Sequence, residues 1–208
     1  TMHLLGGYIL LMLLTVQAAR LHLLQCDSTP IALDMKVKAW IAFALALLLL
    51  QAASGAWVST NYAVLACTEF PKCQGAWWPT MNFDQAFELW RPLGFTQAGD
   101  TLVFEALTAI HVAHRLLALV TVLTLASLAA YLLRYSKLTW PSRILLGLLA
   151  LQVLTGVSNA VLDWPLIAAV LHTGGAGAMA VVLVWLLAIT QGHSAAERAD
   201  AFSRRLTE

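Results

Sequence analysis

The chain has 208 residues, of which 60% are hydrophobic and only 11% are charged. A soluble domain is about 45–50% apolar and about 25% charged, so this composition excludes a soluble globular protein and indicates a polytopic membrane protein. The net charge of +1 comes without a basic surface interleaved with aromatic residues, which excludes a nucleic-acid-binding protein.

Five segments are apolar over roughly the 20 residues that a membrane-spanning helix needs. In chain order they cover about residues 2–19, 39–62, 106–133, 144–162 and 166–189. We therefore predict an all-α integral membrane protein with five transmembrane helices, the last four of which form a four-helix bundle.

The predicted spans divide the chain into four regions. The first residues lack the basic region and cleavage site of a signal peptide, so residues 1–20 are expected to be the last helix of a truncated N-terminal bundle. The other predicted regions are a cytoplasmic linker at 21–38, a C-terminal four-helix bundle at 39–190 with an outer loop at 63–105, and a cytoplasmic tail at 191–208.

The distribution of basic residues predicts the orientation of the spans. Lys and Arg are enriched in cytoplasmic connections of membrane proteins. Nine of the 12 basic residues fall on one side of a five-span chain: Arg20, Lys36, Lys38, Arg134, Lys137, Arg143, Arg198, Arg204 and Arg205. The C-terminus is therefore predicted to be cytoplasmic and the loop at 63–105 to lie outside.

Two short sequence matches indicate an internal repeat. Leu50–Gly55 (Leu-Gln-Ala-Ala-Ser-Gly) in the second span resembles Leu151–Gly156 (Leu-Gln-Val-Leu-Thr-Gly) in the fourth, and the histidine and glycine pair of the first span resemble those of the fifth. Small residues at such positions allow helices, or a flat ligand, to approach closely. Chance similarity between apolar helices is the alternative explanation.

Two histidines stand three residues apart in the third predicted helix, and Arg115 follows the second of them. His111 and His114 therefore share one helical face, and ionisable groups inside a membrane are costly enough to indicate a function. His114 and His172 fall at similar depth in spans that run in the same direction. This arrangement favours axial ligation of one haem iron by the two imidazoles, so the last four helices are predicted to form a haem-binding four-helix bundle.

The residues beside this pair suggest how a haem would be held. Gly174 and Gly175 next to His172 would give a porphyrin a flat surface, and Arg115 could pair with a propionate. His111 stays open between orienting a ligand, contacting a propionate and packing against a neighbouring helix. An interhelical hydrogen bond is the alternative for the histidine pair, whereas zinc prefers three or four tetrahedral ligands.

The three cysteines fall on both sides of the predicted membrane. Cys67 and Cys73 stand six residues apart in the outer loop, where an oxidising compartment predicts a disulfide over the mouth of the bundle. A thiol–disulfide relay is the alternative for this pair. On the cytoplasmic side, Cys26 is expected to be a reduced thiol, and His22 and His193 are expected to be solvated.

Taken together, these motifs resemble the haem A synthase family. The resemblance covers almost the whole chain, to about residue 191. Four stretches carry it: Trp57–Ala63 (Trp-Val-Ser-Thr-Asn-Tyr-Ala), Ala66–Pro79 with Cys-x5-Cys and Trp-Trp-Pro, Ala109–Arg115 with His-x-x-His-Arg, and Leu171–Gly175 (Leu-His-Thr-Gly-Gly).

The resemblance implies an eight-helix membrane protein built of two similar four-helix halves, of which this chain matches helices four to eight. It implies that His114 and His172 ligate haem b in the second half, and that His3 corresponds to a histidine for the substrate haem in the first half. The catalytic Glu-x-x-His of the first half has His111 in place of its glutamate here. No catalytic residue is therefore expected in this chain.

The family's activity is the oxidation of a methyl group of haem O to formyl, which gives haem A for terminal oxidases. The resemblance implies that this chain binds haem b in a bacterial inner membrane and lacks turnover on its own. The expected partners are haem O, haem A and the lipid bilayer. Haem O synthase, an electron donor and a second copy of the chain are further candidates.

Three other functions account for some of these motifs. A bis-histidine b-type cytochrome for electron transfer explains His114 and His172 equally well, but it does not require the Cys67/Cys73 loop or His3. A quinone-linked disulfide-generating protein commonly uses Cys-x-x-Cys, which the Cys-x5-Cys pair fits poorly. A purely structural assembly subunit leaves the membrane histidines unexplained.

Overall fold

The computed structural model describes residues 2–26, 30–92 and 94–190. The part of the chain that it describes contains five long helices and no β-strand: α1 (Met2–Gln25), α2 (Met35–Thr60), α4 (Phe104–Leu132), α5 (Thr139–Val161) and α6 (Leu166–Ile189), with the one-turn helix α3 (Phe83–Ala86) in the long loop. Each long helix is long and apolar enough to cross a membrane. The prediction of an all-α protein with five spans is confirmed.

The first two helices extend further than their apolar cores predict. α1 continues to Gln25, because the leucines that follow Arg20 favour a helix and Leu23 is buried against the bundle. α2 begins at Met35, where the Asp34 side chain accepts a hydrogen bond from the Lys36 amide at 2.7 Å. Much of the predicted linker at 21–38 is therefore helical. The predicted tail at 191–208, with His193 and three of the basic residues, lies outside the described residues.

Four of the long helices form a bundle. α2 packs against α4 and α6, and α5 packs against the same two helices, so α4 and α6 lie on one diagonal of the bundle. α1 packs mainly along α6, on the outside. Because α4 and α6 run in the same direction, their N-terminal halves lie at the same end of the bundle, which we call the loop end.

The apolar core has two separate parts. One cluster fills the end opposite the loop and includes Leu48, Leu125, Leu149 and Met179. Smaller clusters lie at the loop end, one of them centred on Val58 and Ile110. Between Val112 and Leu125, α4 has no buried apolar side chain over roughly 20 Å of helix. This middle layer holds His114 and His172.

Candidate functional site

The first histidine of the middle layer is held by α2. Nδ1 of His114 lies 2.7 Å from the Ser54 hydroxyl, which itself lies 2.8 Å from the Gln51 carbonyl oxygen. The Gln51 amide nitrogen lies 3.1 and 3.3 Å from the two ring nitrogens, so the amide lies across the ring. The same amide donates to the His114 carbonyl at 3.4 Å. Two side chains of α2, Gln51 and Ser54, thus fix this turn of α4.

The second histidine is held by α5 in the same way. Nδ1 of His172 lies 3.0 Å from the Thr155 hydroxyl, which donates to the Leu151 carbonyl at 2.7 Å. The Gln152 amide donates to the His172 carbonyl at 3.0 Å. Gln51 and Gln152 occupy the same position of the repeated motif, as do Ser54 and Thr155. We call each set, Gln51–Ser54–Gly55 and Gln152–Thr155–Gly156, an imidazole cradle.

A glycine completes each cradle. A Cβ atom on Gly55 would lie 3.1 Å from Cε1 of His114, and a Cβ atom on Gly156 would lie 3.1 Å from Cε1 of His172. Both distances are shorter than an ordinary van der Waals contact, so any larger residue would push the ring away from the neighbouring helix. The last residue of the repeated motif is therefore explained by contact with a histidine on the next helix.

The glycines beside His172 have a different environment from the one expected. A Cβ atom on Gly175 would collide with the Gln152 amide, so this glycine makes room for the hydrogen bond to the His172 carbonyl. Gly174 has no neighbour within 4 Å of its Cβ position. The pattern Gln-x-x-Ser/Thr-Gly was visible in the sequence, but the pairing of its hydroxyl and glycine with a particular histidine was missed.

The two histidines belong to helices at opposite corners of the bundle. α4 and α6 are not neighbours in the bundle, and each imidazole is held by a different helix that lies between them, His114 by α2 and His172 by α5. Within the described residues, no hydrogen bond reaches Nε2 of His172. This arrangement gives two imidazole nitrogens in one layer that is not filled by apolar core side chains.

His111 and Arg115 hold the long loop in the structure. Nδ1 of the buried His111 lies 2.9 Å from the Ala63 carbonyl, and because a carbonyl only accepts, this nitrogen carries the proton. The Arg115 guanidinium donates to the carbonyls of Cys67, Glu69 and Lys72 at 2.9–3.0 Å. The structure places His111 against the start of the long loop, and the three roles left open for it by the sequence stay predictions. Contact of Arg115 with a propionate stays a prediction.

Cys67 and Cys73 form the predicted disulfide. Both residues are buried and pack against Val112 of α4, two residues before His114. The Gln74 side chain ties the same loop to the Ala66 carbonyl and to the Thr108 hydroxyl on α4. The disulfide loop is therefore fixed to the helix that carries His114.

Farther along the loop, Arg91 has a similar anchoring role. Its guanidinium donates to the Asn61 side chain at 3.0 Å and lies over the Trp57 ring. Burial lowers the pKa of the Arg91 guanidinium, and the nearby Glu88 carboxylate opposes that change. This second anchor joins the loop to the end of α2.

The family model that describes the COX15-CtaA cytochrome oxidase assembly proteins matches residues 1–187. The chain belongs to this family. A heme A synthase from Shewanella oneidensis is 37% identical over 185 residues, which cover 88% of this chain and 55% of that relative. The chain thus spans about half the length of the curated relative that it matches. The family predicted from the sequence motifs is confirmed.

Helix α1, which precedes the four-helix bundle, contacts α6, the helix that carries His172. The Tyr8 hydroxyl donates to the Thr173 carbonyl at 2.6 Å, and a Cβ atom on Gly177 would lie 3.3 Å from the Tyr8 ring. α1 is thereby joined to the turn of α6 that carries His172. His3, in the first turn of α1, has an exposed side chain at the loop end.

The histidine at the other end of α1 is exposed and contacts α6 on one side. The ring of His22 lies 5.5 Å from the Trp185 ring of α6, and its Nδ1 lies 3.6 Å from Sγ of Cys26. The side chain of His22 is exposed, as expected for a solvated residue, and because α1 remains helical beyond Arg20 it also lies beside α6.

Proposed function

We propose that this chain is the haem b-binding half of a membrane haem A synthase. The whole protein would oxidise a methyl group of haem O to formyl, and this half would hold a second haem through His114 and His172. Membership of the family supports the pathway, since the matched relative is a heme A synthase. The chain spans about half of that relative, so the activity assigned here is that of the longer protein.

The observation that carries the proposal is the pair of imidazole cradles. Each histidine presents its Nδ1 to a hydroxyl on a neighbouring helix, at 2.7 Å for His114 and 3.0 Å for His172. Axial haem ligands in proteins are usually oriented in this way by a hydrogen bond to the second ring nitrogen. The two rings belong to helices on one diagonal of the bundle, which is where ligands and cofactors of helical bundles bind.

A haem fits the groups present in the middle layer. It would need two nitrogen donors from different helices, which His114 and His172 supply, and the stretch of α4 around His114 contributes no buried apolar side chain between the two core clusters. When bound, such a haem supplies one-electron redox chemistry. The contribution of the protein is to orient the two imidazoles and, through the anchored disulfide loop, to cover the mouth of the bundle.

Catalysis is assigned to the half of the protein that this chain does not span. Among the described residues of the five long helices, the only carboxylate is that of Glu105 in the first turn of α4. None of these five helices, as far as the structure describes them, therefore carries a carboxylate in the turns next to His114 or His172. His3 is proposed to contact the substrate haem, and no residue of this chain is proposed to be catalytic.

The distribution of charge supports an orientation with the loop end outside. The connections at the opposite end contain Lys36, Lys38, Arg134, Lys137 and Arg143, and cytoplasmic connections are enriched in such residues. We place the protein in a bacterial inner membrane with its C-terminus in the cytoplasm. In that compartment arrangement the Cys67–Cys73 disulfide lies on the oxidising side.

The visible spectrum of the detergent-purified protein tests the proposal. The unaltered chain should show a low-spin b-type spectrum, and His114→Ala and His172→Ala should each abolish it. His22→Ala is the matched control, since His22 is a membrane-helix histidine at the opposite end of the molecule, and its spectrum should be unchanged. A chain that binds no haem, or a spectrum that survives both cradle variants, would overturn the assignment.

A bis-histidine cytochrome that only transfers electrons is the second candidate. The lack of a carboxylate beside the histidines fits it as well as it fits the cofactor half of a synthase. Haem extraction from cells that make the longer protein separates the two. Conversion of haem O to haem A supports the synthase, whereas a haem b spectrum without any haem A supports the electron-transfer cytochrome.

A further inference from the structure

The two hydroxyl groups of the imidazole cradles have a role that the resemblance did not assign. A serine or threonine hydroxyl has a single proton to donate. The Ser54 hydroxyl lies 2.8 Å from the Gln51 carbonyl, and the Thr155 hydroxyl lies 2.7 Å from the Leu151 carbonyl. In each case the proton goes to a carbonyl of its own helix, because a carbonyl oxygen can only accept.

Each hydroxyl oxygen then has only lone pairs to offer to the neighbouring imidazole. The short contact from Ser54 to Nδ1 of His114, 2.7 Å, therefore requires that the ring nitrogen donates. The same argument holds for the 3.0 Å contact from Thr155 to Nδ1 of His172. The Gln51 amide nitrogen can also only donate, and with Nδ1 of His114 protonated its acceptor on that ring is Nε2, at 3.3 Å. Both rings must be in the Nδ1–H tautomer, in which Nε2 keeps its lone pair.

The glycine of each cradle makes this assignment geometrically specific. Gly55 and Gly156 let Cε1 of each ring lie against the neighbouring helix, with the hypothetical Cβ atoms 3.1 Å away. A ring flipped about its Cβ–Cγ bond would place a carbon where Nδ1 now meets the hydroxyl and would lose that hydrogen bond. The hydroxyl and the glycine therefore select one orientation and one tautomer together.

We propose that Ser54 and Thr155 are positioning residues that hold His114 and His172 as Nδ1–H imidazoles, so that both Nε2 atoms keep the lone pair that an iron ligand needs. This inference rests on the proposed function, since it concerns the ligands of the same haem. The hydrogen bond also increases the basicity of the ligating nitrogen, which stabilises the ferric state.

The first experiment does not need haem. NMR of the haem-free protein, labelled with 15N-histidine and held in detergent micelles, distinguishes the two tautomers by the chemical shifts of the ring nitrogens. His114 and His172 should both appear as Nδ1–H, and the His114→Ala and His172→Ala variants assign their signals. Observation of the Nε2–H tautomer at either position would overturn the inference whether or not the protein binds haem.

The second experiment uses the haem-loaded protein. Ser54→Ala and Thr155→Val each remove one hydroxyl, and each should weaken haem binding by about 10–100-fold, the usual effect of removing an outer partner of a ligand. Each variant should also raise the haem midpoint potential and alter the electron paramagnetic resonance of the ferric haem. Unchanged potential, spectrum and affinity in both variants would overturn the inference.

Three further variants separate positioning from general packing. Ser54→Thr and Thr155→Ser exchange the hydroxyl residues of the two cradles and should keep the affinity and the potential. Ser158→Ala removes a hydroxyl from α5 that bonds only to the Leu154 carbonyl, and it should change neither. If the unaltered chain binds no haem while NMR finds both Nδ1–H tautomers, the proposed function fails and the tautomer assignment stands.

Discussion

The two helix pairs of the middle layer are built alike and anchored differently. α2 holds His114 and α5 holds His172 through the same sequence of amide, hydroxyl and glycine. Beyond the cradle, however, α4 is tied to the disulfide loop by Arg115, whereas α6 is tied to α1 by Tyr8. Only the imidazole cradle, which orients a histidine ring, is repeated between the two helix pairs.

This difference separates the residues that act on both histidines from those that act on one. A motif that recurs with the same contacts in two helix pairs is constrained by the ring that it contacts. The anchors differ because each pair has a different neighbour, a polar loop on one side and an apolar helix on the other. Substitutions in the cradles should therefore have matched effects, and substitutions in the anchors should have one-sided effects.

The largest matched effect is expected from the cradle glycines. Gly55→Val and Gly156→Val would insert a branched side chain where a single Cβ atom already lies 3.1 Å from the imidazole, so each should displace its ring and abolish the low-spin haem spectrum. Gly147→Val on α5 is the control, since no atom lies within 4 Å of its Cβ position. Retention of the spectrum in both cradle variants would contradict the comparison.

A one-sided effect of intermediate size is expected at Arg115. Arg115→Ala leaves the carbonyls of Cys67, Glu69 and Lys72 without their charged donor, and hydrogen bonds to charged groups contribute about 1.5–3 kcal/mol each. The loop should open more often, and its disulfide should react faster with an added thiol reductant. Arg91→Ala removes a guanidinium from the other end of the loop and should have a smaller effect on that rate. Equal rates in the unaltered chain and Arg115→Ala would refute this anchoring role.

The smallest effect is expected at Tyr8. Tyr8→Phe keeps the ring against Gly177 and removes only the hydroxyl that donates to the Thr173 carbonyl, a loss of about 1 kcal/mol. The midpoint of thermal unfolding should fall by about 2–4 °C, and the NMR signals of His172 should shift more than those of His114. Tyr62→Phe is the control because that side chain is 68% exposed. A larger shift at His114 than at His172 would contradict the one-sided anchor.

The sequence by itself determined the five spans, the disulfide pair and the family, and it indicated that His114 and His172 lie at similar depth in their helices. These features follow from local composition, residue spacing and motifs: an apolar run of sufficient length must be a helix in lipid, because its backbone groups have no other partners there. The repeat of Gln-x-x-Ser/Thr-Gly was also detectable in the sequence, although its contacts with the two histidines were not.

Only the tertiary structure decided which residues meet. Ser54 and His114 are 60 positions apart, and Arg115 reaches back 48 positions to Cys67. A membrane helix is apolar on the face that meets lipid as well as on the face that packs, so the sequence does not show which neighbour each face contacts. The placement of α4 and α6 on one diagonal, and with it the pairing of each histidine with its own cradle, depends on how the helices pack together.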